Sequence, residues 1–513
     1  MGLLSENLPL NGLVLGLNAL PARDFGAGIH GLWGWIYPDR PSQSPFMVSR
    51  WRRVVKVGGG AIGGLLGALF LILAPVEAPV PWTTEPVRVS VQQSLKTQQQ
   101  ELKIATGPLR SGWARRRLTP TLGTPADDGA SGRFRALPLA GFGARQGKPA
   151  SGVRQDLWTK ALAMQVGEQR VVLIASDLLI VPREVAEGVV SNLTARPGLR
   201  RDQVYFTATH THGSLGGWGE GLVAEQFGGT FVPEIRTWMV GQLTEVAREA
   251  LSSVAPAAVG FDAFAAPEGI RNRLVGESGT VDPEFAYLRV RREDGQEALW
   301  GSYGAHATVL GSGEMQFHGD YPGVWQEVVE AETGGMALFA AGAVGSHGPR
   351  TTSSGWEGAQ ALGTSLARQV LDRRKGCALQ SQVALGSVAV SFRLPPLRIR
   401  LDEHIQLRSW AARRVLPVAD ETTLQGVRIG SWLWLSTPCD FSGELALELK
   451  AQARTRGVHC AVTSFNGDYV GYVIPTRYQT LNSYESRTMC FYGPTLTEGF
   501  METLGGLIEV LRP

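Results

Sequence analysis

The chain has 513 residues, 43% of them hydrophobic, enough to build one large domain or two ordinary ones. Its 49 Lys and Arg nearly balance 46 Asp and Glu, and no basic block with interleaved aromatics occurs beyond short runs such as Arg115-Arg116-Arg117, so nothing points to a nucleic-acid partner. Four cysteines without a CxxC pair exclude a cysteine zinc knuckle and leave room for one or two disulfides.

Residues 1–46 are rich in Gly and Pro, show no periodicity and read as a poorly structured extension. Met47 opens MVSRWRRVVK, a basic stretch that would serve as the true start of the protein. It leads into VGGGAIGGLLGALFLILA, residues 57–74, which carries no charge. A basic flank (Arg50, Arg52, Arg53, Lys56) followed by an apolar run and a Pro-rich exit predicts a signal peptide or membrane anchor over residues 47–78. The run is at the short end for a bilayer span. The positive flank predicts that the rest lies outside the cytoplasm, in the periplasm or secreted, or anchored through residues 57–74. Residues 79–100 read as a polar linker with room for one strand.

From residue 101 to 513 the texture is even. Strands are predicted at 170–181, 203–212, 335–345 and 427–438, and helices at 231–254, 323–332 and 442–455. The alternation predicts a single large α/β or α+β domain with a mixed buried sheet.

Eight histidines occur in the whole chain, and two of them, His210 and His212, fall two residues apart in FTATHTHGSLGG. The preceding VYFTAT favours a strand, on which residues two apart share a face. Two imidazoles at a strand's C-terminal end suggest a metal ligand with a helper base, or two ligands. A hydrogen-bonded pair is the plainer alternative. Further donors follow other apolar runs: His306 in SYGAHATVLG, Asp440 in STPCDFSGE, and Tyr469 and Tyr472 in FNGDYVGYVIPT. Asp177 and Asp320 read either as partners of the ligands or as loop caps.

These segments, in order, together with ALPLAGFGARQGKPASGVRQDLWTKALAMQ (136–165), HGDYPG and NSYESRTMCFYGP, resemble the neutral/alkaline, non-lysosomal ceramidases over residues 102–511. The resemblance implies a zinc-dependent amidohydrolase that cleaves ceramide or a related N-acyl lipid to a fatty acid and a sphingoid amine. It implies Zn2+ held by His210, His306, Asp440 and Tyr472, with His212 orienting or deprotonating the attacking water. It also implies that Arg273 and Tyr484 face the oxyanion, and that the substrate is drawn from a membrane surface. Long members carry a C-terminal β-sandwich, which is not expected here after residue 513.

Three departures stand out. Asp440 occupies a glutamate's place. Cys439 sits beside it, either as a small buried residue or as a thiol ligand. The loop that reads GDVSPN in the family, with a catalytic serine, reads GSHGP here, so Gly348 stands at the serine position and Ser346 at the aspartate position. Two other readings therefore stay open: a zinc hydrolase of the same fold acting on another amide or ester, and a catalytically impaired envelope protein. A serine hydrolase built on a GxSxG elbow is disfavoured, because that motif does not occur.

Overall fold

The computed structural model describes Gly67, residues 69–416 and residues 418–512, and it divides into residues 1–72 and residues 73–513. The extension 1–46, the Met47 start, the basic flank and most of the apolar run lie outside the described residues. Of that run, Gly67 and residues 69–72 are helical. Leu73–Pro75 is instead a short strand, paired antiparallel with Ile405–Leu407, so the helix does not extend to Ala74. Among the described residues, no helix is long and apolar enough to cross a membrane.

The core of residues 73–513 is a mixed 12-stranded sheet. In chain order its strands are β1 (Ala105–Arg117), β2 (Trp158–Val166), β3 (Gln169–Ser176), β4 (Val204–Ala208), β5 (Ala255–Ala265) and β6 (Glu284–Arg292). They continue as β7 (Glu297–Tyr303), β8 (Met336–Ala341), β9 (Gln382–Arg393), β10 (Glu421–Ile429), β11 (Trp432–Thr437) and β12 (His459–Ser464). The long strand β1 is the branch point. It pairs antiparallel with β9 through Ala105–Pro108, with β5 at Arg110 and Ser111, and with β2 from Leu109 to Arg117. Three arms result: β2-β3-β4, β5-β6-β7-β8 and β9-β10-β11-β12. In each arm the last pair is parallel and the other pairs are antiparallel.

The inner faces of the arms share one apolar core to which every strand contributes, with Leu162, Leu173, Tyr205, Leu288, Trp300 and Trp434 among its members. Side chains alternate along a strand. Leu162 and Met164 therefore enter this core, while Ala161 and Ala163 face the helices outside. Helices α2 (Arg183–Ala195) and α3 (Pro233–Ser252) cover the first arm, and α4 (Asp320–Thr333) and α5 (Gly355–Arg373) the second. The third arm is covered by α1 (Pro86–Glu101), α6 (Gly443–Arg454) and α7 (Pro494–Leu511). Burial on both faces explains why the strands read as nearly continuous apolar runs.

Helix α1 replaces the expected linker. Its apolar stripe is narrow, one residue per turn at Val87, Val91 and Leu95, but all three pack on the third-arm core. Just before it, buried Trp82 stacks on Phe392 with ring centres 5.4 Å apart and donates from Nε1 to Glu502 at 2.8 Å. Arg88 of α1 pairs with the same Glu502 at 2.8 Å. The expected strand 427–438 is two strands, β10 and β11, turning at Gly430, whose φ of +62 suits glycine. All four cysteines are free thiols, so no disulfide forms. Trp82→Ala is expected to destabilise the protein by about 3–5 kcal/mol. Urea unfolding followed by circular dichroism checks this, and an unchanged midpoint would mean that α1 is not part of the cooperative fold.

Candidate metal centre and active site

The C-terminal ends of the arms converge, and hydroxyl groups tie them together. Tyr205 of β4 bonds Thr463 of β12 at 2.6 Å, and Thr207 of β4 donates to the Ser464 carbonyl at 3.0 Å. Ser464 in turn donates to the carbonyl of Gly342, just beyond β8. The segments leaving these ends carry the polar residues singled out in the sequence: His210 and His212 after β4, His306 after β7, and Asp440 after β11.

The histidine pair does not lie on a strand, as its pattern predicts. Strand β4 ends at Ala208, and His210 adopts a left-handed backbone with φ of +60. That conformation is costly for a side-chain-bearing residue and is held by its surroundings. The Thr209 amide donates to the Ser176 carbonyl, and Thr211 Oγ1 donates to the His318 carbonyl at 2.7 Å. The His210 ring stacks on Phe465, itself at φ +67, with centres 4.1 Å apart. The turn still brings the two imidazoles to one point, though along a bend rather than along a pleat.

His210 Nε2 lies 2.9 Å from His306 Nε2, and His212 Nε2 lies 3.0 Å from the same atom. All three rings are buried, and together they form a group that could hold a metal ion. Asp440 joins from the side, with Oδ1 3.3 Å from His210 Nε2 and 3.8 Å from His306 Nδ1. The hydrogen bonds around the rings show that a cation fits. His210 Nδ1 donates to the Leu179 carbonyl at 2.7 Å, and His306 Nδ1 faces the Val344 carbonyl at 3.5 Å. With the protons on Nδ1, both Nε2 atoms present lone pairs to each other, which repel unless a cation lies among them. Burial, followed by neighbouring His210 and Arg145, holds the His212 pKa well below its usual value. Burial and then Arg273 do the same for His306. Neutral imidazoles and an Asp440 Oδ1 buried without a hydrogen-bond donor are the state a divalent ion requires.

Asp440 and Tyr472 stand opposite each other in a short parallel ladder, Asp440–Phe441 beside Tyr472–Val473. Arg273 donates through Nη2 to the Tyr472 hydroxyl at 2.8 Å, and its Nε lies 3.3 Å from Glu485. Burial opposes the Arg273 charge, but Tyr472, Glu485 and Asp440 outweigh it and hold the guanidinium pKa above its ordinary value. The Tyr484 ring meets Tyr472 edge-on at 5.8 Å and is 37% exposed, at the mouth of the site. The structure thus brings together all seven residues singled out in the sequence: His210, His212, His306, Asp440, Tyr472, Arg273 and Tyr484.

Two supporting residues went unnoticed. Buried Arg145 donates to the carbonyls of Ala140, His212 and Glu314 and so pins the loop that carries His212. Gly141, at φ +108, lies so close that a Cβ there would come within 2.5 Å of the His212 ring. Both fall within the resembling segment 136–165, but isolated residues of these types carry no signal of their own. Asp177 and Asp320 act as caps rather than as partners of the group. Asp177 accepts from the Trp158 amide and from Gln326, and Asp320 accepts from the amides of Leu310 and Tyr321. Cys439 packs in the third-arm core, where burial pushes its thiol pKa well up, and it is not part of the histidine group.

Ser346 cannot stand in for a serine nucleophile. His347 Nε2 accepts from the Asp282 amide, so its Nδ1 carries the proton and donates to Ser346 Oγ at 3.0 Å. The Gly443 amide donates to the same oxygen at 3.2 Å, and Ser346 Oγ bonds Ser442 at 2.8 Å. Its lone pairs are occupied by donors, and no base faces it. Gly348 lies in a two-strand ladder opposite Arg271, where a Cβ would stand 3.4 Å from the Arg273 side chain.

Above the group opens a cavity of about 510 Å³. His210, His212, Asp440 and Tyr472 line its floor, while Trp218, Val223, Phe227, Leu416, Val418 and Phe491 supply apolar wall.

Residues 122–352 match the family model for neutral/alkaline non-lysosomal ceramidase, N-terminal. Over those residues the chain is similar to the neutral/alkaline ceramidases. Among the solved structures that share its fold are two ceramidases. One is the neutral ceramidase from Pseudomonas aeruginosa, with a TM-score of 0.67 and 17% identity over 79% of this chain and 75% of that one. The other is a ceramidase complexed with C2, with a TM-score of 0.66 and 16% identity over 79% of this chain and 76% of that one. The ceramidase match covers His210, His212, Arg273 and His306. Asp440, Tyr472 and Tyr484 lie beyond it and reach the site through the tertiary fold.

The buried groups predict how stability varies with pH. Burial lowers the His347 pKa to about 4 from 6.5. Its contribution is therefore complete above pH 6.5 and is lost as the pH falls toward 4. Burial raises Asp177 and Asp320 to about 6 from 3.8. They work in the opposite sense, since the folded chain takes up their protons first as the pH falls. Thermal midpoints of the metal-free protein between pH 7 and pH 4 should fall less steeply for His347→Gln than for the parent chain. Parallel curves would show that His347 does not contribute in this way.

Proposed function

We propose that the chain is a metal-dependent amidohydrolase that cleaves the N-acyl amide of ceramide or a related N-acyl lipid, releasing a fatty acid and a sphingoid amine. The observation that carries this reading is the convergence of three buried histidine Nε2 atoms beside a largely apolar cavity, whose floor His210 and His212 line. The family match over residues 122–352 and the ceramidase fold support the substrate class.

His210, His306, Asp440 and Tyr472 would hold the ion, which we take to be zinc because the donors are imidazole, carboxylate and phenol. Such an ion polarises a carbonyl and lowers the pKa of a bound water. The chain's own residues supply the rest. The apolar walls receive the acyl chain and exclude bulk water, which strengthens the electrostatic interactions inside. His212, kept neutral by burial, takes the proton of the attacking water at its unprotonated ring nitrogen. Arg273, its guanidinium fixed by Tyr472 and Glu485, and Tyr484 donate to the oxyanion as it develops. The C–N bond then breaks; the water oxygen stays on the acyl carbon, and the amine leaves with the proton. No serine takes part, in keeping with Gly348 and the engaged Ser346. The basic-then-apolar order of residues 50–74 supports a place outside the cytoplasm, at or near a membrane surface that supplies the lipid.

The test uses a fluorescent N-acylsphingosine with bound metal quantified on the same sample. Chelator-sensitive release of fatty acid is expected. His210→Ala should lose metal and turnover together, while Arg273→Lys should keep the metal and lower kcat by about 10²–10³-fold. Stoichiometric metal without turnover of any N-acyl lipid would overturn the reading.

A further inference from the structure

Asp440 is almost wholly buried, and its two carboxylate oxygens meet different surroundings. Oδ1 faces His210 and His306 and receives no hydrogen bond. Oδ2 accepts from the Tyr469 hydroxyl at 2.7 Å. We propose that Tyr469 is a positioning residue for the metal centre, holding the Asp440 carboxylate by Oδ2 so that Oδ1 is presented to the cation group. The inference rests on reading His210, His306 and Asp440 as a cation site.

Among the described residues, no other side chain donates a hydrogen bond to this carboxylate. His210 Nδ1 is engaged with Leu179, and Arg273 Nη2 with Tyr472. An aspartate carboxylate can rotate about χ2, a broad torsion, so a single directed hydrogen bond decides which oxygen points inward. Tyr469 is well placed to supply that bond, because its backbone belongs to the same unit as Asp440. The Val470 amide donates to the Pro438 carbonyl at 2.8 Å, and the Asp440 amide donates to Gly471 at 3.0 Å. The Tyr469 amide is fixed in turn by Asp468 at 2.8 Å, and Asp468 is held by Thr422 and Arg183. The phenol is therefore carried on a braced turn, and little side-chain freedom is lost when it bonds the carboxylate. One short segment thus supplies two phenols: Tyr472 beside the ladder partner Asp440, and Tyr469 behind it. Hydrogen bonds of this kind to metal ligands commonly govern metal affinity.

The full chain, stripped of metal, would be titrated with Zn2+ against a competing chelator and, separately, with Co2+ while its visible d–d absorption is recorded. Tyr469→Phe removes only the hydroxyl from a half-buried ring. It is expected to weaken Zn2+ binding by about 10–100-fold and to change the Co2+ spectrum. Adding Tyr469→Phe to Asp440→Ala should cost nothing further, because the two residues act through one bond. Where Tyr469→Phe does not fold, Tyr469→Met, of similar bulk and without a donor, is read against the same outcomes. A parent chain that binds one ion, with a Tyr469→Phe variant of equal affinity and identical Co2+ spectrum, would overturn the positioning role and leave the metal site standing. Failure of the parent chain to bind either ion would instead overturn the site and, with it, this inference.

Discussion

Three imidazole nitrogens and a carboxylate oxygen crowd into one buried point, and with the protons on Nδ1 no hydrogen lies between two of those nitrogens. His210 and His306 spend their N–H groups on the carbonyls of Leu179 and Val344, which leaves their lone pairs facing each other at 2.9 Å. Unpaired buried polar atoms are costly, and a cation among these lone pairs would satisfy them. Much around the site serves to keep it in place. The left-handed turn at His210, the stacked Phe465, the Arg145 clamp and the missing Cβ at Gly141 all restrict the rings to this geometry.

That restriction is affordable because the sheet beneath is rigid. Its three arms share an apolar core built only from strands, and each arm is braced on its outer face by helices. The hydroxyl bonds of Tyr205, Thr207 and Ser464 lock the strand ends from which the site departs. Chemistry at the C-terminal ends of strands is common in open sheets with parallel pairs. Here each arm ends in such a pair, and the segments leaving those pairs meet.

The site also divides its labour spatially. The donors for a cation sit on the floor, Arg273 and Tyr484 stand to one side, and apolar residues wall the cavity above. Gly348 leaves the neighbouring ladder without a hydroxyl, and Ser346, nearby, is saturated with hydrogen-bond donors. The reaction proposed above accordingly uses water, with His212 taking its proton, and not a serine.

Much of this was legible in the primary structure, for reasons that can be named. The long amphipathic helices α3, α4 and α6 and the apolar strands appear close to their expected places, because a strand buried on both faces and a helix with one apolar face leave strong periodic marks. The residue types of the site were legible too, since paired histidines and strand-end carboxylates carry few alternative roles. Helix α1 was not, because one apolar residue per turn among glutamines looks like a polar linker until the third-arm core receives it. Nor was the bend at His210, since a left-handed φ in a non-glycine residue is imposed by neighbours distant in sequence. The sequence by itself determined which donors are present and in what order. Only the tertiary structure decided that they meet, which lone pairs face inward and which oxygen of Asp440 Tyr469 holds, because those facts are set by contacts between segments 29 to 230 residues apart in the chain.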